Sequence, residues 1–211
     1  VTDVNQEVFR GIWDRFAQLV DENKAFLNDL DAKIGDADHG TNMARGLTKV
    51  VEALDASDPQ SLRADAKLVG MTLLSTVGGA SGALWGSGML KLSAQLPDAK
   101  EVGWPEFVDA FGVFVDALSS RGQAVLGDKT MMDVLLPAAT AFREQHQQSV
   151  VSLTAEVSVQ ARVWSEATEG LVAKRGRASY LGERSVGHVD PGSVSAALFL
   201  QALAESLGAK G

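Results

Sequence analysis

Apolar residues recur at steps of three and four along the first part of the chain. Val4, Val8, Ile12, Phe16, Leu19, Val20, Phe26, Leu27, Leu30 and Ile34 fall on one helical face, which predicts one long helix ending near Gly35. Met43, Leu47, Val50, Val51 and Leu54 continue the period until Asp58-Pro59 stops it. A third helix fits about Ser61 to Thr76, through Leu62, Ala66, Val69, Leu73 and Leu74. A fourth fits about Ala83 to Leu96, where Gly86 and Gly88 imply close packing or a close ligand. Pro105 suits the first turn of a fifth helix carrying Phe107, Phe111, Phe114, Val115 and Leu118. Residues 130 to 147, with Pro137 as a kink site, and about 152 to 174 make two more, and an eighth runs from about Ser193 to Leu207.

No segment alternates convincingly enough to predict a strand, although VVSLTAEVSV is rich in β-branched residues. The expectation is an all-α fold of eight helices in a single domain over residues 1–211. Short connections favour antiparallel up-and-down packing, as a layered bundle or a closed barrel, and periodicity does not choose between them.

The polar and glycine-rich positions concentrate at four junctions: DAKIGDADHGTNM (31–43), VGGASGALWGSG (77–88), SRGQAVLGDKTMMD (120–133) and KRGRASYLGERSVGHVDPGS (174–193). Turns favour such residues for their backbone dihedrals alone. These four, however, follow the first, third, fifth and seventh helices, so up-and-down packing brings them to one rim. The last is also longer than a reversal of direction needs.

Composition narrows the classes. Hydrophobic residues make up 45% and charged residues 22% of 211, as in a globular protein. A net charge of −8 argues against a nucleic-acid surface. With no cysteine there is no disulfide or thiolate chemistry, and three histidines make a His-rich metal site improbable. No apolar run is long enough to span a membrane, and VTDVNQEVFRG does not read as a signal peptide. The expected location is cytoplasmic, with no membrane or nucleic-acid partner.

The first junction carries the sharpest chemistry. A turn at Gly35 can bring Asp31, Asp36 and Asp38 together, and packed carboxylates at the negative end of a helix repel. A divalent cation resolves that conflict, and an all-oxygen set with room for water and phosphate favours Mg²⁺. An EF-hand starting at Asp36 fails, because Gly40, Thr41 and Leu47 occupy required ligand and turn positions. A capping role for Asp36 or Asp38 would explain one aspartate but not three. Gly40, Thr41 and Asn42 open the second predicted helix and GGASG the fourth, so backbone N–H groups are expected to face an anion there. Two familiar motifs are absent: GQAVLGDKT (122–130) misses the P-loop spacing by the inserted Asp128, and GSGMLK lacks the third glycine of a dinucleotide fingerprint.

Taken in order, IGDADHGTNMARG, TLLSTVGGASGALWGSG, SRGQAVLGDKTMMDVLLPA and GRASYLGERSVGHVDPGSVS resemble the nucleotide-binding L subunit of bacterial dihydroxyacetone kinase over nearly the whole chain. That resemblance selects an eight-helix antiparallel barrel with nucleotide at one end. It implies that Asp31, Asp36 and Asp38 bind two Mg²⁺ ions bridging the phosphates of ADP or ATP. His39, Gly40, Thr41 and Asn42, with Ala80 and Ser81, would line phosphates and ribose. Gly122, Met131, Arg177 and the Asp190-Pro191-Gly192 turn would close around the nucleotide. No residue of this chain is expected to act as a covalent nucleophile. His188 and Glu183 are expected to order their loop, and Trp85 to belong to the core.

The resemblance further implies two partners: a K subunit holding dihydroxyacetone on its own histidine, and a phosphotransferase-system M subunit that rephosphorylates bound ADP in place. A homodimer is compatible with it. The competing readings are a fatty-acid-kinase-type nucleotide domain, whose metal loop usually begins DGDT, and a non-catalytic helical module binding lipid inside the barrel or a regulator at its rim.

Overall fold

The computed structural model describes residues 3–58, 60–144 and 148–209. Pro59 and the end of the predicted 130–147 helix, residues 145–147, lie outside the described residues. The helices are α1 (Gln6–Glu22), α2 (Lys24–Ile34), α3 (His39–Ala56), α4 (Leu62–Thr76), α5 (Gly79–Gln95), α6 (Trp104–Gly122), α7 (Met132–Glu144), α8 (Val150–Ala167) and α9 (Pro191–Gly208).

Three expectations need correction. The long first helix is broken at Asn23, whose N–H turns back to Asp21 and Leu19 carbonyls while its side-chain amide also donates to Leu19 O, 2.8 Å away. An Asn that satisfies the last carbonyls itself ends a helix without disturbing the apolar spacing. Val4 is not helical. Val4–Asn5 (β1) pairs antiparallel with Glu101–Val102 (β2), and Asn5 caps α1 by accepting from Val8 N–H. Finally, α8 stops at Ala167, passing into a short 3-10 turn at Thr168–Gly170 rather than continuing to residue 174. The fourth predicted helix starts earlier, at Gly79, and α7 runs through Pro137.

With α1 and α2 as two parts of one wall, the fold is the eight-helix antiparallel barrel. Each helix from α3 to α8 packs on the next, α9 packs on α8 and α1, and α1 packs on α3, which closes the ring. Trp13, Phe16, Trp85, Phe111, Phe114 and Phe199 fill its axis with ring centroids 5.3–6.5 Å apart, the spacing of edge and offset aromatic packing. The residual void among them is about 10 Å³. That is near the size of a single water site, so this void does not admit an acyl chain.

One end of the barrel is sealed. Gln6 N–H donates to Lys100 O and Leu62 N–H to Ala99 O. Arg10 spans the α3–α4 connection, donating to both Asp65 carboxylate oxygens, Leu54 O and Ser57 Oγ. The glycines of the fourth predicted helix serve packing. A Cβ on Gly86 would stand 2.8 Å from Gly70 O and 2.6 Å from Leu74 Cγ, and one on Gly88 2.2 Å from Leu118 Cδ1. Replacing Gly86 with alanine should therefore push α4 and α5 apart. Overpacking of this kind costs about 1–3 kcal/mol, more than the roughly 1 kcal/mol that alanine returns in helix propensity. Thermal and urea unfolding of Gly86→Ala are expected to show a net loss of stability; an unchanged or raised midpoint would contradict the packing role.

Candidate functional site

The other end of the barrel is open. The connections α2–α3, α4–α5, α6–α7 and α8–α9 surround one cleft of about 400 Å³. The shared parity expected from the sequence is thus met in space, and the cleft divides into an acidic wall, a helix start and an apolar wall.

The acidic wall comes from the end of α2 and the turn after it. Carboxylate oxygens of Asp31, Asp36 and Asp38 lie within 4.8 Å of one another. Asp31 is buried; its Oδ2 accepts from Asp38 N–H at 2.9 Å and His39 N–H at 3.2 Å. Two charge-assisted bonds offset the cost of an anion at the negative end of α2. Gly35 makes this possible, since a Cβ there would sit 2.0 Å from Asp31 Oδ1. Ala37 then takes a left-handed conformation, φ 64°, between the two outer aspartates, unfavourable for a residue with a Cβ. Asp38 stands at the N-cap position of α3, yet its side chain makes no capping bond. Capping therefore does not account for its carboxylate. The guanidinium of Arg177 is paired with Asp36, so the cluster already attracts a cation from across the cleft.

The two helix starts differ. In α3, His39 N–H is taken by Asp31, and Thr41 N–H donates to Asn28 Oδ1 at 3.0 Å, while Asn28 returns a bond to Thr41 Oγ1 at 2.9 Å. A Cβ on Gly40 would fall 2.2 Å from Lys24 O. Gly40 and Thr41 accordingly face α2 and are not among the cleft-lining residues, whereas His39 and Asn42 are. The lack of a side chain at 40 is what the close contact with α2 requires. In α5, by contrast, neither a side-chain cap nor any protein acceptor takes the N–H groups of Gly79, Ala80 and Ser81 among the described residues. Arg45 donates to Asn42 Oδ1 at 2.9 Å, which leaves the Asn42 amide nitrogen for the cleft.

Leu84, Leu118, Ala124, Met131 and Met132 form the apolar wall, with Gly122 at its edge, and Arg177 and the Asp190-Pro191-Gly192 turn complete the lining. Trp85 is instead buried in the core. His39 Nε2 lies 3.1 Å from Ser195 Oγ, and desolvation lowers its pKa despite nearby Asp31 and Asp38. Of the two residues expected to order the last loop, His188 acts through its carbonyl, which accepts from Lys129 Nζ, and Glu183 O accepts from Val186 N–H.

The charged core of the α6–α7 loop did not stand out in the sequence. Asp128, Lys129 and Asp133 are all buried. Asp133 accepts from Gly127 N–H at 2.5 Å and Thr130 N–H at 2.7 Å, and Asp128 faces Lys174 and Arg175 at 3.5 and 3.6 Å. The available signal was GDKT itself, two charges and a glycine between apolar stretches.

Asp190 caps α9 through Oδ2, which accepts from Ser193 N–H at 2.6 Å. Desolvation, the largest influence, raises its pKa to about 7 against the opposing Ser193 bond and Lys129 charge. The folded protein therefore holds a proton there that the unfolded chain has released between pH 4 and 7. Stability from this group is present at low pH and lost as pH rises through about 7. Asp190→Asn keeps the cap acceptor and does not titrate. Its melting temperature relative to wild type, measured in buffer without nucleotide, should rise between pH 5 and pH 8; a constant difference would rule this titration out.

Comparison with known proteins places these features in context. The DAK2 domain model matches residues 33–205. The chain is 40% identical over 191 residues to the ADP-binding subunit DhaL of PEP-dependent dihydroxyacetone kinase 1 from Listeria innocua, covering 90% of this chain and 91% of the relative. It is 41% identical over 193 residues to the corresponding subunit from Escherichia coli, with the same coverage. Among solved structures, the C. freundii dihydroxyacetone kinase in complex with AMP-PNP and Mg²⁺ superposes with a TM-score of 0.73 at 26% identity, covering 93% of this chain and 33% of that one.

Proposed function

The chain belongs to the DAK2 domain family, and from that premise we propose that it is the ADP/ATP-binding subunit of a dihydroxyacetone kinase. The observation that carries this reading is the cleft, where three convergent carboxylates face an uncapped helix start and an apolar wall. A nucleotide needs all three: cation ligands, donors for phosphate oxygens, and a surface for the base.

In this reading Asp31, Asp36 and Asp38 hold two Mg²⁺ ions, which supply charge neutralisation for the phosphates. The donor set is wholly oxygen, as magnesium prefers. Asp31 keeps Oδ1 available because its two backbone bonds go to Oδ2. Ala80 and Ser81 bind phosphate oxygens through their N–H groups, with Asn42 beside them. Arg177, exposed and paired with Asp36, is free to turn to the phosphates once Asp36 is otherwise neutralised. Leu84, Leu118, Met131 and Met132 take the base, with Gly122 and the Asp190-Pro191-Gly192 turn at its edges. Gly40 and Thr41 contribute indirectly, by seating α3 on α2. His39 is held at Nε2 by Ser195, which suits a contact residue.

We assign no side chain of the cleft as a nucleophile; in this reading the work of the subunit is positioning and charge neutralisation. The acceptor, dihydroxyacetone, is held by a separate K subunit, and a phosphotransferase-system M subunit rephosphorylates the bound ADP. The names of the Listeria and Escherichia relatives, which specify an ADP-binding subunit and dependence on phosphoenolpyruvate, support that form over an exchangeable ATP donor.

Two measurements test this. The protein purified without added nucleotide should carry ADP that exchanges more slowly than turnover in the reconstituted system; free exchange with medium ATP at each turnover would exclude the resident-cofactor form. Asp36→Asn combined with Asp38→Asn should abolish Mg²⁺-dependent ADP binding in calorimetry while preserving the helical circular dichroism. Retention of that binding would exclude the metal assignment.

A further inference from the structure

We propose that Lys129 is a positioning residue for the nucleotide, one that fixes the Asp190-Pro191-Gly192 turn without touching the ligand. The proposal rests on the reading of the cleft as a nucleotide site. In sequence Lys129 occupies the lysine of a near-miss phosphate loop, and a lysine at a cleft of this kind would ordinarily be assigned to phosphate. The structure assigns it otherwise. Its side chain is 1% exposed, and Nζ reaches three backbone carbonyls: Thr168 O at 2.6 Å, His188 O at 2.5 Å and Glu169 O at 3.5 Å. An ammonium has three N–H donors. The residue lines the cleft, but its ammonium is turned to these carbonyls, two at short range and the third at 3.5 Å, and away from the ligand space.

Those carbonyls belong to two segments that the lysine ties alongside the Gly187 N–H to Glu169 O bond of 2.9 Å. Thr168 and Glu169 follow the end of α8, where unsatisfied carbonyls and the negative helix pole attract a cation. His188 lies on the return toward α9. Tying the two together places Thr168 Oγ1 3.0 Å from Asp190 N–H, which it accepts. Asp190 in turn caps α9 through Ser193, and Gly192 comes close enough that a Cβ there would be 3.7 Å from Met131 N. Lys129 itself is held in a left-handed conformation, φ 61°, inside the loop that Asp133 pins from Gly127 and Thr130. The chain of contacts therefore runs from α7, through the lysine, to the turn at the cleft. From there the route to the α2–α3 turn is indirect, through Gly192 O, Ser195 Oγ and the His39 ring, and among the described residues no side chain of the Asp190-Pro191-Gly192 turn bonds an α2–α3 carboxylate.

That indirect route makes the proposal testable. Lys129→Met preserves length and removes the donors. Wild type and variant are titrated with ADP at saturating Mg²⁺ and, separately, with Mg²⁺ alone, and hydrogen exchange is followed at residues 186–192. The expected result is ADP affinity weakened roughly tenfold, as for loss of an outer-shell support, with faster exchange in that segment and Mg²⁺ affinity unchanged. Unchanged ADP affinity overturns the proposal, as does a parallel loss of ADP and Mg²⁺ binding. Should Lys129→Met fail to fold, Thr168→Val cuts the same route one bond later, and the same two outcomes decide. A wild-type protein that binds no ADP would instead refute the functional reading itself.

Discussion

The open end of the barrel depends on Asp31 lying where a carboxylate is least welcome. It sits in the last turn of α2, buried, at the negative pole of that helix. The fold stabilises it by turning the start of α3 toward it, so that two backbone N–H groups converge on one oxygen. The same pair of bonds fixes the angle between α2 and α3 and brings Asp36 and Asp38 to the same place. Gly35 is required because the tightly folded carboxylate occupies the volume of a side chain at that position. Backbone geometry and proposed ligand geometry are thus one constraint. The acidic cluster cannot be loosened without also unseating α3.

The remainder of the barrel makes such an end affordable by being rigid elsewhere. Aromatic rings fill the axis, and the sealed end is tied by the Arg10–Asp65 pair, 2.8 Å apart, with Asp65 almost wholly buried. Replacing one partner of such a pair leaves an uncompensated charge, which costs about 3–5 kcal/mol. The open end has no comparably buried ion pair among the described residues. Its ion pairs, Arg177–Asp36 and Lys174 or Arg175 with Asp128, each involve a cation that is about half exposed or more. Exposed pairs are typically worth about 0–1 kcal/mol, so they can be exchanged for contacts to a ligand at little cost.

Much of this was legible in the sequence, for definite reasons. Apolar spacing located the helices because each buries one face, and the four polar junctions shared parity because neighbouring helices run in opposite directions. Asn23 escaped notice because α1 and α2 keep a common apolar face across the break; only a side chain bonding its own preceding turn reveals it. Gly40 and Thr41 were assigned to an anion because small residues at a helix start have two uses, close ligand approach and close helix contact. The sequence does not distinguish these, and here the neighbour is Lys24 O. Lys129 was missed for a related reason: a lysine in a glycine-rich loop reads as solvent- or ligand-facing unless the carbonyls that surround it are known.

The two helix starts at the rim show how the fold divides tasks that look equivalent in one dimension. Both α3 and α5 open with small residues, and either could present N–H groups to an anion. In α3 the His39 and Thr41 N–H groups are spent on Asp31 and Asn28, which hold the helix against α2 and shape the carboxylate cluster. In α5 they remain free, and Gly79, at φ 69°, lets the chain enter the helix with no side chain in front of them. In the proposed reading a cation site and an anion site are thereby set on adjacent walls, each satisfied by what the other attracts. For a metal-bound phosphate this is the needed order: the acidic wall alone would repel it, and the free helix start alone would hold any small anion. Selectivity in this cleft comes from requiring both at once.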